Sequence, residues 1–211
     1  MTETISVEQL VSWMETFRNR ILNERDYLTE LDAKIGDADH GANMVRGVNA
    51  IVDRLQVEHP ATVAEFGKLV GMALISTVGG AAGPLYGTFF LRAGTAGADR
   101  TALDSGALIA VLEAGVNGVQ ARGNAQLGDK TMYDVLDPAL EAARQAQGQP
   151  ILDGLAATVT AARNGLNKSK QLIAKRGRAR YLGQRSAGHV DPGAASSVML
   201  LESLLETLTE K

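Results

Sequence analysis

Apolar residues recur with a helical period along almost the whole chain. Leu10, Met14, Phe17 and Ile21 fall on one face behind Ser6, and Gln9 stands where a capping box needs its second partner. Similar stripes predict helices at about 41–56 (Met44, Val48, Ile51, Leu55), 61–78, 84–94, 104–121, 131–147, 151–175 and 193–209. The pattern thus predicts eight helices and no strand, joined by short connectors rich in Gly, Pro or Asp. With no long linker, low-complexity run or solenoid repeat, residues 1–211 read as one all-α domain. Small residues, as in "GMALISTVGGAAG", suit close helix packing as well as they suit a ligand site.

Composition narrows the function classes. The 211 residues are 45% hydrophobic and 21% charged, ordinary for a domain with a sizeable core. Lys and Arg number 21 against 24 acids, a net charge of -3, so there is no global electrostatic case for nucleic acid or an anionic membrane. Without cysteine the chain has no disulfide, thiolate nucleophile or Cys-ligated zinc. No signal-peptide pattern or membrane-length apolar run is visible, so the expected location is the cytoplasm.

The candidate chemistry lies in four connectors. "LDAKIGDADHGANM", residues 31–44, gathers Asp32, Asp37 and Asp39 just before a helix. Ionised carboxylates this close repel one another unless they are solvated, protonated or joined by a cation. An EF-hand is excluded, because Val48 occupies the twelfth position where a Glu is needed. Three hard oxygens suit Mg²⁺ completed by substrate phosphates; alternatively Asp37 or Asp39 caps the helix and Asp32 is solvated. In "STVGGAAGPLYGT", Gly79, Gly80 and Gly83 precede a helix-opening Pro84, a pattern that serves an anion-binding turn or plain helix punctuation.

"RGNAQLGDKTM" spaces Gly123 and Gly128 like a P-loop, but Asp129 stands in place of its lysine and a helix, not a strand, precedes it. A Gly-rich nucleotide-contacting loop fits these residues, with Thr131 as a cap of the next helix and Lys130 available to pair with an acid; a plain capped helix–helix connection fits them as well. "GRARYLGQRSAGHVDPGA" places Arg178, Arg180 and Arg185 before His189 and the Asp191-Pro192-Gly193 turn. Arginine suits bidentate phosphate recognition, although a charged loop is also an ordinary solvated surface.

Together "LDAKIGDADHGANM", "TVGGAAGPLYGTFF", "GDKTMYDVLDP" and "GRARYLGQRSAGHVDPGA" resemble, in order and over nearly the full chain, the signature segments of the nucleotide-binding L subunits of dihydroxyacetone kinase, the DhaL family. The resemblance implies a barrel of eight antiparallel amphipathic helices, with ADP or ATP and two Mg²⁺ ions in loops at one end. Asp32, Asp37 and Asp39 match the family's metal ligands. His40, Gly41, Ala42 and Asn43 match the start of the nucleotide-contacting helix, and Gly79, Gly80, Ala81 and Ala82 match the backbone that approaches phosphate. Gly123 and Met132 would face adenine, and Arg178, Asp191, Pro192 and Gly193 would complete the pocket. Many relatives carry Ser where Ala82 stands, so a hydroxyl contact is missing here.

The resemblance also implies a divided enzyme in which no side chain of this chain acts covalently. A separate K subunit would hold dihydroxyacetone. In the phosphoenolpyruvate-dependent, phosphotransferase-linked branch, a phosphohistidine M subunit recharges bound ADP; in the other branch exchangeable ATP is the donor to dihydroxyacetone or a related ketose. A regulatory reading, in which the loaded subunit acts on a transcription regulator, predicts different partner affinities for the ADP and ATP forms. Acids that serve only as caps, with glycines that serve only packing, predict no Mg²⁺-dependent nucleotide binding. Oligomeric state stays open, a homodimer included.

Overall fold

The computed structural model describes residues 4–210, so both ends of the expected 1–211 domain, including the start of the segment searched for a signal peptide, lie outside the described residues. Ser6 caps α1 (Val7–Asn23) with the reciprocal bonds of a capping box: the Gln9 amide donates to Ser6 Oγ at 3.3 Å and the Ser6 amide to Gln9 Oε1 at 2.9 Å. After Glu24 the chain turns into α2 (Arg25–Ile35), and α3 (His40–Glu58), α4 (Val63–Thr77), α5 (Ala82–Gly97) and α6 (Ser105–Gly123) follow. Then come α7 (Tyr133–Gln145), α8 (Ile151–Ser169), a 3₁₀ helix (Arg178–Ser186) and α9 (Pro192–Thr209).

The described residues therefore form nine α-helices and one 3₁₀ helix, where the apolar pattern predicts eight helices. The additional α-helix is α2. It buries the apolar residues Leu28, Leu31 and Ile35, a stripe so narrow within "RDYLTELDAKI" that the charged residues dominate the local pattern. The long helix expected over 151–175 stops at Ser169, and the 3₁₀ helix forms in what reads as a basic loop. A two-residue antiparallel pair also forms, β1 (Ile5–Ser6) on β2 (Ala102–Leu103). Two residues are too few to write an alternating pattern, and the partners are remote in sequence, so no strand is expected there.

Helix neighbours run in chain order: α1 packs on α3, then α3 on α4, α4 on α5, α5 on α6, α6 on α7, α7 on α8 and α8 on α9, which packs back on α1. The short α2 lies beside this circuit, against α3, α9 and the 3₁₀ helix. One apolar core cluster takes side chains from Ile5 to Leu208. At its centre Trp13 lies 5.7 Å from Phe90 and 6.4 Å from Phe66, ring centre to ring centre, and its indole N–H donates to the Leu200 carbonyl at 2.9 Å. No helix among the described residues is long and apolar enough to cross a membrane.

The small residues of α4 and α5 are used for close approach. A Cβ on Gly67 would lie 2.5 Å from Gly94 Cα and 2.6 Å from the Phe90 carbonyl oxygen, so the two backbones touch. Gly67→Ala should lower stability by about 1–3 kcal/mol despite the better helix propensity of alanine, because neither neighbour is a flexible side-chain tip. Gly106→Ala, at an exposed position of α6 whose nearest neighbour is Asp104 Oδ1 at 3.5 Å, should leave the denaturation midpoint unchanged or raise it.

Candidate functional site

The acidic connector is built around Asp32, which belongs to α2 and is buried near its C-terminal end. Its Oδ2 accepts the backbone N–H of Asp39 at 2.9 Å and of His40 at 3.1 Å, so it caps α3 from the preceding helix. Asp39 stands at the N-cap position but makes no side-chain cap bond. Neither Asp37 nor Asp39 is thus the cap, and the cap is the residue that reads as solvated. A Cβ on Gly36 would run into the Asp32 carboxylate, so this turn closes only on glycine. Ala38, between the other two acids, is held at a φ of 63°, a conformation that costs an L-residue about 1 kcal/mol.

The result is that one ligand atom from each of Asp32, Asp37 and Asp39 lies within 4.8 Å of the other two. Asp37 also pairs with the Arg178 guanidinium at 2.5 Å. Asp32 has its second oxygen left over from capping, and all three donors are hard carboxylate oxygens, a set that fits Mg²⁺.

The three acids line a cavity of about 570 Å³. The N-terminal ends of α3, α5, α7 and α9 meet it, as do the connectors that leave α4 and α6. α5 opens at Ala81 without any side-chain cap, and before it Gly80 has a φ of 65° with nothing within 4 Å of a would-be Cβ. Uncapped N–H groups there are free to meet an anion, aided by the dipoles of several helices. Gly79 packs on Asn43, whose Oδ1 would be 3.1 Å from a Cβ. Asn43 accepts from Arg46, which also donates to the Thr77 carbonyl at 2.9 Å and so ties α3 to the end of α4.

Beneath the acids runs a buried polar chain. His40 Nε2 lies 2.9 Å from Ser196 Oγ, and the Tyr86 hydroxyl lies 2.7 Å from that same oxygen and 3.0 Å from Ser197 Oγ. Burial pushes the His40 imidazole down to about 4 although Asp32 and Asp39 oppose it, so His40 is neutral near pH 7. Burial likewise pushes the Tyr86 phenol up. Asp191 caps α9 by accepting the Ala194 N–H at 2.8 Å, and burial raises its carboxyl to about 6 against the opposing pull of that bond and of Lys130.

The loop with P-loop-like glycine spacing is held by its acids. Asp134 accepts from Gly128 N at 2.6 Å and Thr131 N at 2.8 Å, and Asp129 accepts from Gln126 N at 3.0 Å and from Arg176 Nε at 3.1 Å. Lys130 is 1% exposed and donates to the carbonyls of Ser169 and Lys170 at 3.0 and 2.9 Å, so it closes the C-terminal end of α8 rather than pairing with an acid. Thr131 accepts the Tyr133 N–H at 3.1 Å, two residues on.

Of the expected nucleotide residues, His40, Asn43, Gly79, Gly80, Ala81, Ala82, Gly123, Met132, Arg178, Asp191, Pro192 and Gly193 all line the cavity. Gly41 and Ala42 are not on its wall. Gly41 faces α2, where a Cβ would meet the Arg25 carbonyl and Thr29 Oγ1, and Ala42 is exposed. Tyr86, Arg122, Lys130 and Arg176 also line the cavity, and none of them is among the expected nucleotide residues. Only the run of Gly, Asp and Lys at 128–130 hints at any of them.

The DAK2 domain family matches residues 34–206. The chain is 41% identical, over 97% of its length and 98% of the relative's, to the ADP-binding subunit DhaL of PEP-dependent dihydroxyacetone kinase 1 from Listeria innocua. It is 39% identical, over 97% and 99%, to the ADP-binding subunit DhaL of a PTS-dependent dihydroxyacetone kinase from Lactococcus lactis. The crystal structure of the C. freundii dihydroxyacetone kinase in complex with AMP-PNP and Mg²⁺ superposes with a TM-score of 0.71 at 27% identity, covering 93% of this chain and 33% of that one. The chain belongs to the DAK2 domain family, alongside the DhaL ADP-binding subunits of dihydroxyacetone kinases.

Proposed function

We propose that this protein is the ADP-binding subunit of a dihydroxyacetone kinase, a phosphotransferase that passes a phosphoryl group to dihydroxyacetone held on a separate K subunit. The observation that carries the reading is the juxtaposition in one cavity of three clustered carboxylates with four helix N-termini. Three carboxylates that share a cavity with the uncapped first turn of α5 suit a polyphosphate bound through cations and directly by backbone N–H groups.

In this reading Asp32, Asp37 and Asp39 hold two Mg²⁺ ions, which when bound neutralise charge on the phosphate oxygens. The turn Gly79-Gly80-Ala81-Ala82 and the start of α5 receive phosphate through backbone N–H groups, so the absence of a serine at Ala82 is tolerated. Gly123 and Met132 form the adenine side, and Arg178 and the 191–193 turn close the pocket. His40, buried and 2.9 Å from Ser196 Oγ, fixes the α3 end. Phosphoryl transfer asks for in-line positioning and charge neutralisation more than covalent help.

The helix circuit that returns from α9 to α1, with alternate helices opening at the cavity, supports an eight-helix barrel of antiparallel neighbours built from α1 and α3 to α9 as a single domain. The names of the Listeria and Lactococcus relatives favour a phosphohistidine M subunit as donor over exchangeable ATP. A cytoplasmic site of action follows from that partnership. A regulator-binding role or a homodimer would add to this reading rather than replace it.

Two expectations test it. Asp32→Ala should cost the nucleotide-free protein about 1 kcal/mol through loss of the α3 cap and abolish the thermal shift given by Mg²⁺ with ADP. Asp37→Asn should abolish the same shift with little effect on nucleotide-free stability, since its pair with exposed Arg178 is a surface contact. A full shift in excess chelator would remove the metal platform. As to the donor, with the K subunit and dihydroxyacetone present, a phosphohistidine donor should sustain many turnovers while free ATP gives roughly one per bound nucleotide; sustained turnover on ATP alone would assign the ATP-dependent branch.

A further inference from the structure

We infer that a groove on the outside of the helix circuit, between α4, α5 and α6, docks an acidic, partly apolar segment of the protein that delivers phosphoryl groups to the bound nucleotide. The inference rests on the proposed function and adds a surface and a partner chemistry to it. The groove encloses about 450 Å³ and is lined by Ile75 of α4, Thr88 and Arg92 of α5, and Gly118 and Arg122 of α6. Pro84 and Arg122 also line the nucleotide cavity, so the groove runs into the cavity's mouth. A partner seated in it is therefore placed beside the nucleotide rather than at a remote face.

Charge sets the chemistry of the occupant. Arg92 and Arg122 are both exposed, and neither makes an ion pair or a side-chain hydrogen bond among the described residues. Arg20, Arg144, Arg163, Arg176 and Arg178 each meet a carboxylate; Arg25, Arg54 and Arg185 share the lack of a partner, but Arg92 and Arg122 lie together in one groove. Two uncompensated guanidinium groups in one groove of a chain with net charge -3 form a local positive site. The α4 side is apolar: Ile75 is 42% exposed and Met72, one turn earlier, 44%. Gly118 keeps the floor low, since a Cβ there would lie 2.9 Å from Arg92 Cγ. An apolar floor with arginines at its margin fits a protein segment that carries carboxylates beside apolar side chains. It does not fit a nucleic acid, which the overall negative charge repels and the apolar floor does not recognise.

The reaction served is simple to balance. The P–N bond of the donor's phosphohistidine breaks as a P–O bond forms to the terminal phosphate oxygen of ADP, and the histidine nitrogen takes up a proton. Arg92 lies outside the nucleotide cavity and acts on encounter, so it should govern the donor concentration required, not the rate at saturation.

The test uses Arg92→Glu, which lies outside the nucleotide cavity, in the ADP-loaded protein without the K subunit. Conversion of bound ADP to ATP is followed against concentration of the phosphohistidine donor at two salt concentrations. We expect an unchanged thermal shift with Mg²⁺ and ADP, a half-saturating donor concentration raised about ten-fold, an unchanged saturating rate and a weaker salt dependence, with Arg92→Lys close to wild type. A wild-type donor dependence in Arg92→Glu would overturn the docking site. So would competition by inorganic phosphate that Arg92→Glu abolishes, which would mark a small-anion site instead. If the wild-type protein accepts no phosphoryl group from the donor, the proposed function fails and the docking site with it.

Discussion

The site depends on one carboxylate that serves two structures. Asp32 must reach across a tight turn to hold the first N–H groups of α3, and in doing so it brings a buried negative charge beside Asp37 and Asp39. The capping bonds compensate one of its oxygens, and the other is left for the cluster. Everything near the turn follows from that reach: Gly36 because a side chain would occupy the carboxylate's place, Ala38 in a left-handed conformation, and Gly41 packed against α2 so that α3 can begin where it does. A cap on a neighbouring helix thus fixes the acids to the fold instead of leaving them on a mobile loop.

The opposite wall has a different origin. Because the helices that open at the cavity are spaced around one circuit, their N-terminal ends meet without any long loop to carry them. Close packing of α4 on α5 through Gly67 and Gly94 keeps α5 firmly placed, so its uncapped first turn is held open by the core behind it. Behind the cavity, the chain from His40 through Ser196 to Tyr86 joins α3, α9 and α5, three of the four helices that begin there. Lys130 and Asp129 do the same for the remaining loops, tying the connector after α6 to the segment after α8.

Local chemistry is what the sequence makes legible. The Ser6 and Gln9 capping box, the apolar stripes of α1 and α3, and the acidic and glycine-rich turns can all be read from residues a few positions apart. α2 escapes because three apolar residues among many charges leave a weak signal. The 3₁₀ helix escapes because its nine residues carry mostly polar and basic side chains. The cap on α3 could be anticipated as a function but not as a residue, since the sequence near the N-cap offers Asp37 and Asp39 and the bond comes from Asp32, seven and eight positions before the amides it accepts. The pairing of Asp129 with Arg176, 47 positions apart, and the placing of Lys130 against the end of α8 depend on tertiary packing that no short spacing encodes.

If the site works as proposed, the three carboxylates and the start of α5 grip one nucleotide through metal ions. A crystal grown with ADP and Mn²⁺ in place of Mg²⁺, with anomalous scattering recorded at the manganese edge, tests it directly. Manganese peaks should lie in contact with Asp32, Asp37 and Asp39, with a diphosphate between them and the backbone N–H groups at Gly80 to Ala82. Nucleotide bound without manganese at those carboxylates, or manganese there with the nucleotide seated elsewhere, would contradict it.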